Sequence, residues 1–160
     1  QPAGFGEKTP VDTIRKVTFL EHVELFEGLA SQDLLKLLRI VYKQTRADGE
    51  LIIQKGDHAD AMFMLLEGGA SLRVDGREVV RLGPGEHFGE MALFGTDVRT
   101  ADAVACGETV LLVLPADDFR RLVERDAPAF GNKLLTRLLE RVSNRLWKTT
   151  EELMSLRDSG

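Results

Sequence analysis

Cysteine is almost missing from this 160-residue chain, where Cys106 stands alone. A single thiol excludes an internal disulfide framework, and no cysteine and histidine grouping has the spacing of a structural zinc site. The chain therefore reads as a protein of a reducing, cytoplasmic setting, stabilised by its core. Long hydrophobic runs are also lacking. No apolar stretch approaches the roughly 18 residues of a membrane span, and the N-terminus lacks the basic start and apolar run of a signal peptide. Positive charge is in deficit: 26 acidic against 21 basic residues leave a formal net charge of -5, which argues against non-specific binding to nucleic acid or anionic membranes. Histidine is limited to His22, His58 and His87, with no His-x-His pair, so a clustered metal site is not expected. What is present, 43% hydrophobic and 29% charged residues, suits one cooperative domain with some helix outside its core.

Punctuation divides the chain into zones. Residues 1–10 carry two glycines and two prolines and read as a linker. Residues 12–44 read as helical: Ile14, Val17 and Phe19 or Leu20 form a short stripe, Leu25-Phe26-Glu27-Gly28-Leu29 breaks it, and Ser31 is placed to N-cap a second helix ending near Tyr42. Across residues 49–115 glycine recurs between short runs of branched and aromatic residues, the pattern of an antiparallel sandwich or barrel. Strands are expected at 50–54, 61–67, 70–74, 77–82, 87–89, 100–106 and 109–114, with Asp75-Gly76 as the clearest hairpin turn. From Asp117 the helical period returns. Asp126-Ala127-Pro128 interrupts it, and a final helix is expected from about Pro128 to Leu153. The fold class is thus mainly β with flanking helices, an eight-stranded or nearly eight-stranded jelly roll over about residues 45–115. In domain terms, residues 1–22 form a linker and short helix, 23–127 a β-barrel with flanking helices, and 128–160 a C-terminal helix and tail.

The most informative run is Phe88-Gly89-Glu90-Met91-Ala92-Leu93, followed by Arg99-Thr100-Ala101. A glycine turn, a lone carboxylate and an arginine nine residues later stand in a segment otherwise too apolar to need either charge. Arginine grips an oxygen pair of a phosphate with its planar fork of donors, whereas an ionised glutamate only accepts and so suits a sugar hydroxyl. A cyclic nucleotide offers both groups.

With these motifs, the entry segment Leu25 to Leu29, Gly49-Glu50, Ile52-Ile53, Gly56-Asp57, Phe63 before Gly68, Leu82-Gly83-Pro84-Gly85 and Phe119, the sequence resembles the cyclic nucleotide-binding domain of catabolite-activator-like regulators, cyclic-nucleotide-dependent kinases and gated cation channels, over about residues 23–146. The resemblance implies that residues 88–93 form a short phosphate-binding helix whose amides at Glu90, Met91 and Ala92 face the anion. Gly89 would allow close backbone approach, Arg99 would pair with the cyclic phosphate, and Glu90 would accept the ribose 2′-hydroxyl. Thr100 would meet phosphate or, in a syn purine, the guanine 2-amino group. Phe63, Val80, Leu82 and Val104 would wall the sugar and base. Cyclic AMP is expected over cyclic GMP, with no covalent change to either, no cofactor and no metal. The implied role is a regulatory module that passes ligand occupancy through its C-terminal helices.

Two rival readings use the same residues. A jelly roll also houses metal-dependent enzymes, but His87 and Glu90 alone make a poor ligand set. A ligand-free structural or interaction module would keep the fold while Glu90 and Arg99 merely fasten a loop. Leu135, Leu138, Val142 and Leu146 form an apolar stripe on the last helix, expected to make a homodimer or to dock a further part of the parent protein, with fold-back on the barrel as the alternative. Lys133, Arg137, Arg141 and Arg145 repeat on another face and read as a solvated flank. Direct DNA binding is not expected, because the stretch after Gly107 leaves no room for a separate helix-turn-helix.

Overall fold

The computed structural model describes residues 10–95 and 98–158. The elements run α1 (Pro10–Glu21), a 3₁₀ turn (Glu24–Phe26), α2 (Ser31–Leu38), β1 (Tyr42–Arg46), β2 (Leu51–Ile53), β3 (Ala61–Val74), β4 (Arg77–Leu82), β5 (His87–Phe88), a second 3₁₀ turn (Glu90–Phe94), β6 (Asp102–Pro115), α3 (Ala116–Arg121), a π turn (Leu122–Asp126) and α4 (Pro128–Asp158). All strand pairs are antiparallel, in the order β1-β6-β3-β4, with β2 joined to β6 and β5 to β3.

The long pair β3 and β6 explains the architecture. Its side chains alternate, and both faces are covered. Met62, Met64, Leu112 and Leu114 enter one core with the helices, while Ala61, Phe63, Leu65, Leu111 and Val113 fill a second core inside the barrel. Two buried faces require an almost unbroken apolar strand, as Ala61–Leu65 and Val110–Leu114 show. The helical core draws Leu20 from α1, Leu34 and Leu37 from α2, Phe119 from α3 and Phe130 and Leu134 from α4. At the β3–β4 turn, Asp75 and Gly76 have φ of 52° and 80°, and Val74 pairs with Arg77. Asp and Gly tolerate that left-handed pair, which matches the twist of the flanking strands.

Several expectations are corrected. Among the described residues six strands form where eight or nearly eight were expected: of the seven runs named, those at 61–67 and 70–74 are one bent strand, as are those at 100–106 and 109–114, and β1 is added. Register shifts at Leu65/Glu67 and Glu67/Gly69 bend the pair without ending it. The second helix stops at Leu38, and Tyr42 starts β1, because residues 42–46 find a ladder against Thr109–Val113. Ser31 is the first helical residue. Ala30 occupies the cap and its carbonyl accepts from Asp33 and Leu34, so no side chain caps this end. Pro10, assigned to the linker, opens α1, a position where its missing amide proton costs nothing; the rest of that linker lies outside the described residues. Helix α4 reaches Asp158, and its 31 residues span about 46 Å.

The apolar stripe of α4 also shifts. Leu138 packs against the helical core, whereas Leu135, Leu139, Val142 and Leu146 are 48%, 67%, 56% and 66% exposed. On the basic flank, Lys133 reaches Asp33 of α2 and the Arg137 guanidinium lies over Gly28. The side chains of Arg141 and Arg145 are outside those described.

Candidate functional site

Gly89 begins the site. It stands between β5 and the second 3₁₀ turn with φ +77°, a left-handed conformation that L side chains rarely adopt. A Cβ there would lie 2.8 Å from the Arg99 Nη1 and 3.2 Å from the Ala61 carbonyl oxygen. The missing side chain therefore lets the 3₁₀ turn close down over the arginine. Phe88, stacked on Phe63 with ring centroids 5.3 Å apart, fixes β5 against β3 and sets the direction in which the turn departs.

Arg99 is brought in by the next segment. Its amide donates to the Asp57 carbonyl at 2.8 Å, and its own carbonyl accepts from the Gly56 amide at 2.9 Å. The guanidinium is almost wholly buried. Nη2 donates to the Ala61 carbonyl at 2.7 Å and lies 3.4 Å from the Asp60 carboxylate, while the group sits 5.5 Å from the centre of the Phe63 ring. Burial pulls the arginine below its ordinary value, and Asp60 opposes that shift. A guanidinium still stays protonated in proteins, so the result is a desolvated fixed cation, the state in which its attraction for an anion is least screened.

A cavity of about 390 Å³ opens beside it, within the roughly 300–1,000 Å³ of small-molecule sites. It brings together Leu82, Gly89, Glu90, Met91, Ala92, Arg99 and Thr100 among the residues expected from sequence. Phe63 and Val80 do not line it. Phe63 lies behind Phe88 and faces a second cavity of about 330 Å³ that Arg99 also borders. Val80 is 42% exposed; on β4 it pairs with Leu72, which does line the cavity, but lies outside the lining itself. Val104, pairing with Leu51 and Ser71, is also absent from the lining.

The amide of Ala92 is corrected too. It donates to the Gly89 carbonyl at 3.2 Å and so closes the 3₁₀ turn instead of facing an anion. Glu90 and Met91 open the turn and line the cavity. Sequence reasoning missed Ile53, Ala59, Leu72, His87 and Val98 as lining residues. Of these His87 had a legible signal, a polar ring three residues before Glu90; the aliphatic ones looked like any other core position.

The site is tied to the helices. Ala92 and Leu93 belong to the helical core, Phe94 meets Phe119 of α3 edge-on with centroids 6.1 Å apart, and the Arg120 guanidinium donates to the Ala92 carbonyl at 3.2 Å. Among the described residues no three His, Cys, Asp or Glu side chains gather to hold a metal ion, and no helix is long and apolar enough to cross a membrane.

Residues 43–126 match the family model described as "Cyclic nucleotide-binding domain". A cyclic nucleotide-gated potassium channel of Rhizobium etli is 33% identical over 81% of this chain and 36% of its own length. The cyclic AMP receptor protein of Thermus thermophilus is 33% identical over 74% of this chain and 56% of its own length. The chain thus spans about a third to just over half of these relatives. Among solved structures, the N-terminal domain of a transcriptional regulator from Streptomyces coelicolor superposes with a TM-score of 0.72 at 29% identity, covering 79% of this chain and 94% of that one.

Proposed function

Because this chain belongs to the cyclic nucleotide-binding domain family, we propose that its cavity binds a cyclic purine ribonucleotide, cyclic AMP in preference to cyclic GMP, and releases it unchanged. The observation that carries this reading is the buried Arg99 guanidinium held under Gly89 at the edge of a cavity that also contains Glu90. Arg99 meets the cyclic phosphate together with the amide end of the 3₁₀ turn, and Glu90 accepts the 2′-hydroxyl. Leu72, Leu82 and Ile53 supply apolar surface for the sugar and base. The preference for cyclic AMP rests on the similarity to the cyclic AMP receptor protein, as Thr100 suits either base. Calorimetric titration with both nucleotides, followed by chromatography of the recovered ligand, tests binding and turnover separately. No saturable binding to either nucleotide refutes the proposal, and at least tenfold preference for cyclic GMP reverses the ligand.

Occupancy is passed to the C-terminal helices through the contacts of Phe94 with Phe119 and of Arg120 with Ala92. A ligand that draws Arg99 and the 3₁₀ turn together favours whichever seating of α3 fits the tightened turn, and a differential of about 1–3 kcal/mol is a usual coupling. The output is self-association of α4 with a second copy. Leu135, Leu139, Val142, Leu146, Thr149 and Leu153 follow alternate steps of four and three residues, the period of a coiled-coil seam. In a parallel pair Glu152 of one copy falls opposite Arg157 of the other, an attractive match at the flanking positions.

A further inference from the structure

His87 lines the same cavity, yet nothing in the phosphate-and-ribose reading uses it. Its side chain is 16% exposed, and Nδ1 is fully buried without a hydrogen-bond partner. A buried polar nitrogen left in that state is unfavourable, and few such atoms persist in a folded protein without a reason. An acceptor faces it: the Glu90 Oε2 lies 3.5 Å away, just beyond good hydrogen-bond length. The backbone that carries the imidazole is fixed, because His87 pairs with Met64 on β3 and its neighbour Phe88 stacks on Phe63.

Glu90 is the more exposed of the two, with 38% of its side chain exposed and its backbone at the first position of a short turn. We propose that His87 is the positioning residue for Glu90: with the proton on Nδ1 it donates to Oε2 and holds the carboxylate in the orientation that receives the sugar hydroxyl. A carboxylate has about four lone-pair sites, so accepting from the imidazole leaves capacity for the 2′-hydroxyl. His87 thereby sets the discrimination between ribose and 2′-deoxyribose without touching the base or the phosphate. This inference rests on the cyclic nucleotide reading of the cavity and adds the residue on which its sugar selectivity depends.

The test compares cyclic AMP with 2′-deoxy cyclic AMP by calorimetry on the full chain. In the parent protein the ribonucleotide binds more tightly. In His87→Phe, which keeps a ring but no donor, the ratio of the two dissociation constants falls about three- to tenfold, mainly through weaker cyclic AMP binding. In His87→Asn, whose amide nitrogen can occupy the place of Nδ1, the ratio returns toward that of the parent. Each ratio is read within one preparation, so partial unfolding does not alter it, and His87→Ala provides a second donor-free variant. An unchanged ratio in the donor-free variants overturns the proposal, as does equal weakening of both nucleotides, which would mean that His87 only shapes the cavity. A parent that binds neither nucleotide refutes instead the reading beneath it, and a parent that binds both equally refutes the ribose contact of Glu90.

Discussion

Replacing Arg99 with leucine separates what the guanidinium does for the fold from what it does for the ligand. In the protein alone the substitution removes a charged hydrogen bond to Ala61, of about 1.5–3 kcal/mol, and a cation–aromatic contact with Phe63 of about 1–2 kcal/mol. Against these losses, the folded chain no longer has to desolvate a cation whose side chain is 4% exposed, a penalty of several kcal/mol. The terms oppose one another, so stability changes by no more than about 2 kcal/mol and the melting temperature by about 4–8 °C in a domain of this size. Binding has no such compensation. An anion brought into the cavity finds its buried partner gone, at a cost of about 2–5 kcal/mol, or about thirty- to several-thousand-fold in the dissociation constant. Arg99→Lys recovers only part of this, since one ammonium cannot serve the Ala61 carbonyl and present a planar fork to a phosphate. Titration calorimetry at fixed ionic strength, paired with thermal unfolding of each variant, measures both quantities. A folded Arg99→Leu variant that binds cyclic nucleotide within threefold of the parent would show that this arginine is a strut and that the site lies elsewhere.

Gly89→Ala should both strain the left-handed turn and push a methyl group to 2.8 Å from the Arg99 Nη1, destabilising the fold by about 1–2 kcal/mol and weakening ligand; chemical denaturation and calorimetry measure the two effects. Gly131→Ala tests the seating of α4, because its Cβ would lie 2.6 Å from the Val123 carbonyl oxygen and 2.8 Å from the Val123 Cβ. It is expected to lower stability by about 1–3 kcal/mol, with little effect on ligand affinity unless α4 and the cavity are coupled. Leu146→Glu should convert a dimer into folded monomers by light scattering. Leu138→Glu, at a position packed against the helical core, should instead lower the melting temperature.

Local chemistry made much of this protein legible. The glycine-bounded apolar runs, the Asp75-Gly76 turn and the return of helical spacing after Asp117 identify the layers, because each is a property of a few neighbouring residues. That Glu90 and Arg99 belong at one cavity was legible for a similar reason: two charges in an apolar segment need a task. Tertiary structure decided what depends on distant partners. Tyr42–Arg46 became a strand because β6 offered an edge, although the preceding residues continue a helical period. Leu138 and Leu139 are adjacent in sequence, yet the packing of α4 on the helical core partly buries the first and exposes the second, which moves the candidate seam by one residue. Val80 and Phe63 are apolar residues of the right strands, but the fold left the first 42% exposed outside the cavity and stacked the second on Phe88. His87 gained its meaning only when β5 and the following turn set its Nδ1 in front of Glu90. Composition and spacing specify which side chains can do chemistry, whereas register and packing specify which of them meet, since those are set by contacts between residues far apart in the chain.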